Sequence, residues 1–208
     1  MDFSNRFVSE CREYSSYVQH VKAPVFRKSF VLKEGSQSGE ILICGLGFYD
    51  LFINGEKITK GYLAPYISNT DHIVYYDHYD LTPWLKAGEN VIGVMLGDGF
   101  QNSKTRVWDF MDNVFNSAPK LALSMKVESD GEKQEFDAMD FSCKKGPIFF
   151  NDLRSESFLI KEKKKKAGIS QVSREMRTGI NPFWQIGQEE KRSCVKQSPL
   201  QWSKKENR

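Results

Sequence analysis

The 208-residue chain reads as an all-β protein, an antiparallel jelly-roll β-sandwich with a poorly structured basic C-terminal tail. Three observations predict this. Apolar residues recur with a period near two rather than 3.6. Asn-Gly and Asp-Gly pairs stand between such runs, where two-residue hairpins form. No long helical pattern separates the runs, so an antiparallel arrangement is the natural one.

The elements follow in order. "VFRKSFVL" (25–32) has the β-branched and aromatic content of a strand, and "KEGSQSG" (33–39) is a polar loop. In "EILICGLGFYDLFIN" (40–54), Ile41 and Ile43, then Tyr49, Leu51 and Ile53, alternate with their neighbours. Gly45 and Gly47 between the halves mark a bend or bulge. Asn54-Gly55 closes a type I′ hairpin, and "EKIT" begins the returning strand. The same glycines raise a second reading, a phosphate-cradling loop. That loop needs GxGxxG or GxxxxGK[ST] after a strand and before a helix. Here Asp50 stands where the third glycine would be, and β-formers follow.

"DHIVYYDHYDL" (71–81) alternates and is expected to be a strand. Its Asp71, His72, Asp77 and His78 resemble a metal cluster, but neighbours on a strand point to opposite faces, so solvated side chains are expected. "LTPWLKAGEN" (81–90) predicts a one-turn helix, with Thr82 as cap, Pro83 at the first position and Gly88 as the left-handed stop. "NVIGVMLGDGF" (90–100) is a buried strand ending in a glycine corner. "PKLALSMKVES" (119–129), the Asp130-Gly131 turn and "EKQEFDA" form a hairpin, and "FSCKKGPIFFND" (141–152) supplies the last strand material.

Composition excludes several classes. Hydrophobic residues are 39% and aromatics 13%, enough for a core. No apolar run reaches the length of a membrane span, and the charged N-terminus lacks the apolar core of a signal peptide. Cys11, Cys44, Cys143 and Cys194 are widely spaced, which predicts reduced thiols and a cytoplasmic location. The net charge of +3 is split. Residues 1–153 hold 16 Lys and Arg against 21 Asp and Glu, and residues 154–208 hold 14 against 6. Three regions are therefore expected: a lead-in at 1–23, the sandwich at 24–153 and a basic tail at 154–208.

The series "FRKSFVL", "GLGFYDLFINGEKI", "LAPYISNTDHIVYYDHYDLTPWLKAGENVIGVMLGDGF" and "SAPKLALSM" resembles, over residues 24–155, the N-terminal β-sandwich domain of bacterial α-L-rhamnosidases, glycoside hydrolase family 78. In that family the domain precedes an (α/α)₆ barrel bearing the acidic pair of an inverting hydrolysis. The resemblance implies an accessory domain with no catalytic residues of its own, in a fragment lacking the barrel. Its implied partners are the missing catalytic domains and a rhamnose-containing glycan. The alternative is a self-standing lectin-like module.

The resemblance places sugar-facing candidates on loops: Tyr66 and Asn69; Asp98, Phe100, Gln101 and Asn102; Trp108 and Asp109. Asp112 and Asn113 are the candidate calcium ligands; no other cofactor is implied. An aromatic face with amide and carboxylate groups suits a sugar, and calcium takes such oxygens. The competing expectation is that Phe100 and Trp108 simply pack. Two departures from the family pattern shrink the aromatic platform: Tyr66-Ile67 and Gly99-Phe100 stand where Gly-Trp pairs are usual.

Asn151, Asp152 and Arg154 continue the family pattern, which then stops. The tail from about Ser155 is expected to be aberrant or frameshifted. Its "KEKKKK" could contact nucleic acid, yet Trp184 and Trp202 are not interleaved with the basic residues as a stacking surface requires, so no nucleic-acid partner is expected. No membrane partner is expected either.

Overall fold

The computed structural model describes residue 3 and residues 6–16, 18–60, 63–70, 72–102 and 117–151, with backbone strands alone at 157–162, 172–175 and 195–196. Fourteen strands are formed among them, all pairing antiparallel, with two one-turn 3₁₀ helices. The protein is an all-β sandwich of two principal sheets.

The first sheet is built on β3 (Gln37–Leu46) and β8 (Lys120–Ser129), paired over ten residues. β6 (Asp77–Asp80) closes one edge. On the far side, β8 pairs with β1 (Val8–Ser9) near its start and with β9 (Glu132–Asp137) beyond. β1 also pairs with β14 (Val195–Lys196). The second sheet has the order β10 (Ser142–Lys145), β2 (Pro24–Leu32), β7 (Gly88–Gly97), β4 (Phe48–Ile53) and β5 (Glu56–Lys57). β11 (Ile148–Asn151), β12 (Ser157–Glu162) and β13 (Val172–Glu175) make a third, small sheet.

Period-two alternation builds the core. Ile41 lies opposite Met125 and Ile43 opposite Leu123, and all four point inward. From the other sheet, Phe26, Val94 and Leu51 sit side by side across β2, β7 and β4. All of these are buried and belong to one cluster, so the two sheets share a single core. Val8 joins it, so the lead-in supplies a strand and a core residue to the sandwich.

Several expectations are met and others are corrected. Asn54 and Gly55 have φ of 48° and 90°, and Asp130 and Gly131 of 49° and 76°, the left-handed values that type I′ hairpins require. Gly47 is not a bulge in a continuing strand. β3 and β4 belong to different sheets, and the chain crosses between them at this residue. Its φ is 105°, and a Cβ there would press into the carbonyl of Gly97. Only Asp77–Asp80 of the 71–81 run is strand, because only these residues pair with β3. Thr82 does not cap the helix Thr82–Trp84 with its side chain. The Asp80 carboxylate accepts from the Thr82 backbone N–H at 2.9 Å, while the Thr82 hydroxyl accepts from the Gly39 N–H at 3.2 Å. The strand material of "FSCKKGPIFFND" divides into two strands in different sheets.

Candidate functional site

The sheet crossing at Gly47 meets the corner after β7. Gly99, with φ of 53°, lies so close that a Cβ on it would stand 3.1 Å from the Gly47 Cα. Two backbones can approach this closely only without side chains between them. The junction forms one wall of an open groove, lined by Gly45, Leu46, Gly47, Phe48, Phe100 and Gln101. The facing wall comes from the loop before β6: Pro65, Tyr66, Ile67, Ser68, Thr70, Val74 and Tyr75. Among the described residues no charged side chain lines it, in a chain of which 27% is charged.

Tyr66 is the most exposed of these aromatics at 77%, and it meets Tyr75 edge-on at 6.2 Å. Phe100 is half-buried and edge-on to Phe48 at 6.4 Å. Asn69 uses its backbone carbonyl to hold the His72 and Ile73 N–H groups at 3.0 and 2.9 Å.

The other candidates on the glycine corner face inward. Asp98, Gln101 and Asn102 are all buried. The Asn102 side-chain amide donates to Asp98 Oδ1 at 2.8 Å and to Ser15 Oγ at 3.1 Å, and its carbonyl accepts from the Ser15 N–H at 2.6 Å. Ser15 Oγ in turn accepts from the Val21 N–H at 3.1 Å. The Asp98 N–H donates to Asn151 Oδ1 at 3.2 Å. Gln101 accepts from the Thr70 hydroxyl at 3.1 Å and donates to Ser117 Oγ at 2.8 Å. These side chains join the lead-in, the corner and both flanking loops. Buried polar groups require such partners.

Trp108, Asp109, Asp112 and Asn113 lie outside the described residues. Calcium takes six to eight oxygens. Among the described residues no three His, Cys, Asp or Glu side chains gather to hold a metal, so these residues alone do not fit a calcium shell.

A second polar cluster, which sequence reasoning missed, closes the sandwich where β4 faces β6. Buried Tyr49 donates to Asp77 Oδ2 at 2.5 Å, and its oxygen stands 3.1 Å from the Tyr79 oxygen. Burial, reinforced by the Asp77 charge, pushes the Tyr49 hydroxyl far above its ordinary pKa, and burial raises Tyr79 as well. The signal was present in the inward parity of Tyr49, Asp77 and Tyr79, opposite apolar Leu96, Ile43 and Ile41. On the outer side of β4, Asp50 takes Lys57 Nζ at 2.7 Å and the Thr59 hydroxyl at 3.2 Å.

Asn54 also does more than turn the chain. Its side chain donates to the Trp84 carbonyl and to Asn90 Oδ1, both at 2.9 Å, and accepts from the Val91 N–H at 2.9 Å.

Comparison with known proteins agrees with this architecture. An α-L-rhamnosidase of Formosa agariphila is 35% identical over 136 residues, which cover 63% of this chain and 14% of that protein. The structure of α-L-rhamnosidase from Dictyoglumus thermophilum superposes with a TM-score of 0.62 at 27% identity, over 73% of this chain and 18% of that one. The α-L-rhamnosidase of Streptomyces avermitilis, solved in complex with L-rhamnose, gives 0.58 at 25% identity, over 66% of this chain and 14% of that one. The chain thus spans less than a fifth of the length of each. The alpha-L-rhamnosidase N-terminal domain family matches residues 35–178, past the point where the motif series stops and over more than half of the sequence, and the chain belongs to that family.

Proposed function

We propose that the chain serves as a non-catalytic accessory domain of an α-L-rhamnosidase, with the catalytic portion of such an enzyme as its partner. One observation carries this reading: among the described residues, the groove of the sandwich is lined without a carboxylate. Inverting glycoside hydrolysis needs two carboxyl groups about 6.5–9.5 Å apart around a water. The Asp98 carboxylate, at the corner after β7, is buried and bound to Asn102. The reading is tested by incubating the purified chain with a nitrophenyl α-L-rhamnoside. No nitrophenol release is expected; release in proportion to chain concentration would overturn it.

A second reading, a module that binds a rhamnose-containing glycan, has its own support. Tyr66 presents an exposed aromatic face beside Tyr75 and Phe100, and sugars pack their C–H faces on such rings. Titration calorimetry with L-rhamnose, with and without calcium, tests it. Saturable heat that Tyr66→Ala abolishes supports binding. A flat titration rejects this reading and leaves the accessory role standing.

We further place the protein in the cytoplasm. The support is that Cys11, Cys44 and Cys143 are free thiols, the last two buried. Among the described residues, no helix is long and apolar enough to cross a membrane. Recovery of the native protein from a periplasmic or secreted fraction would contradict this placement.

A further inference from the structure

The two walls of the groove come from separate stretches of the sequence. In the facing wall, the loop that starts at Leu63 carries three exposed apolar side chains: Leu63, Tyr66 and Ile67. Its start is anchored by the Tyr49 N–H, which donates to the Ala64 carbonyl at 2.8 Å. Its middle is anchored at Thr70, whose hydroxyl donates across the groove to Gln101 Oε1 at 3.1 Å. Between these anchors stand Tyr66 and Ile67.

The two partners of the second tie are unequal. Gln101 is 4% exposed and is fixed from behind: its amide donates to Ser117 Oγ at 2.8 Å, and its carbonyl accepts from the Ser117 N–H at 2.9 Å. It is a post that does not depend on Thr70 for its position. Thr70 is only half-buried and sits in a turn in which the Asn69 carbonyl accepts from the His72 and Ile73 N–H groups. Loss of the Thr70 hydroxyl would free the turn from the post and leave a buried acceptor without this donor.

We propose that Thr70 and Gln101 form the latch of the groove, a positioning pair that holds the Tyr66 wall against the Phe100 wall. That the groove binds a sugar rests on the second reading above; the latch itself does not. Hence the test is made without ligand, by amide hydrogen exchange on the full chain. Thr70→Val keeps the shape and removes the hydroxyl. Exchange at His72 and Ile73 should quicken about fivefold, the value of roughly one net hydrogen bond, while Leu123 and Met125 in the β3–β8 ladder stay as in the parent. Thr70→Ser, which restores a hydroxyl, should return His72 and Ile73 to the parent rate. Unchanged exchange at those two amides in Thr70→Val would overturn the latch. So would an equal rise at Leu123 and Met125, which would signal general loosening. A flat rhamnose titration together with the expected exchange pattern would retire the sugar reading and keep the latch.

Discussion

Asn102 is 1% exposed, and its side chain bonds Asp98, the Ser15 hydroxyl and the Ser15 N–H. Asn102→Ala would remove all three bonds and leave the buried Ser15 N–H without its side-chain acceptor, so a loss of roughly 2–3 kcal/mol in urea unfolding is expected. The residue stood out in the sequence, as one of several amides and carboxylates beside paired glycines. That composition marks either a binding loop or an internal knot. The deciding bond spans 87 positions to Ser15, which local pattern cannot supply.

Tyr49 gives a pH prediction. Its folded pKa lies above the ordinary value of about 10, so the unfolded chain loses that proton first. The stability held in the neutral hydroxyl is therefore complete below about pH 10 and declines as the pH rises beyond it. Tyr79 acts in the same direction. Lys120 opposes them, since burial lowers its pKa and the folded state is relieved of that charge first. The Cys44 and Cys11 thiols, which burial also raises, act with the two tyrosines, so the urea midpoint should fall between pH 9 and pH 11, and the fall should be shallower in Tyr49→Phe.

At the scale of elements, strands were legible because alternation is local. β2, β3, β4, β7, β8 and β9 lie where period two places them. Partnership was not. The run 40–54 reads as one line interrupted by glycine, yet its halves belong to opposite sheets. The crossing depends on Gly47, whose positive φ and contact with the Gly97 carbonyl leave no room for a side chain. Gly47→Ala should cost about 3 kcal/mol, through strain and displacement of the corner together. Circular dichroism during thermal melting would register it as a lowered Tm with the β signature retained.

The lead-in was the least legible element, because β1 is only two residues long. Long-range packing defines it: Phe7 and Val8 are buried, Phe3 stacks on Tyr76 at 4.9 Å, and the Arg6 guanidinium meets Asp137 at 2.5 Å. Phe7→Ala should cost about 3 kcal/mol despite its place near the terminus, which chemical denaturation would measure. A cost near zero would mean that the lead-in merely lies on the surface.

For the whole molecule, fold class followed from the spacing of turns, whereas the groove could not. Its lining draws on residues 45–48, 65–75 and 100–101, and only the crossing of the chain between sheets brings them together. The same crossing gives the two glycines in "GLGF" separate tasks: Gly47 lets its corner touch the one at Gly99, and Gly45 leaves room for the Tyr49 side chain. The polar residues behind that wall are engaged with one another, and among the described residues the wall itself is uncharged. The accessory role proposed above draws on both observations. The decisive measurement is the rate of nitrophenol release from a nitrophenyl α-L-rhamnoside by the purified chain. The account predicts a rate equal to buffer alone at every protein concentration; a rate that rises in proportion to the protein would contradict it.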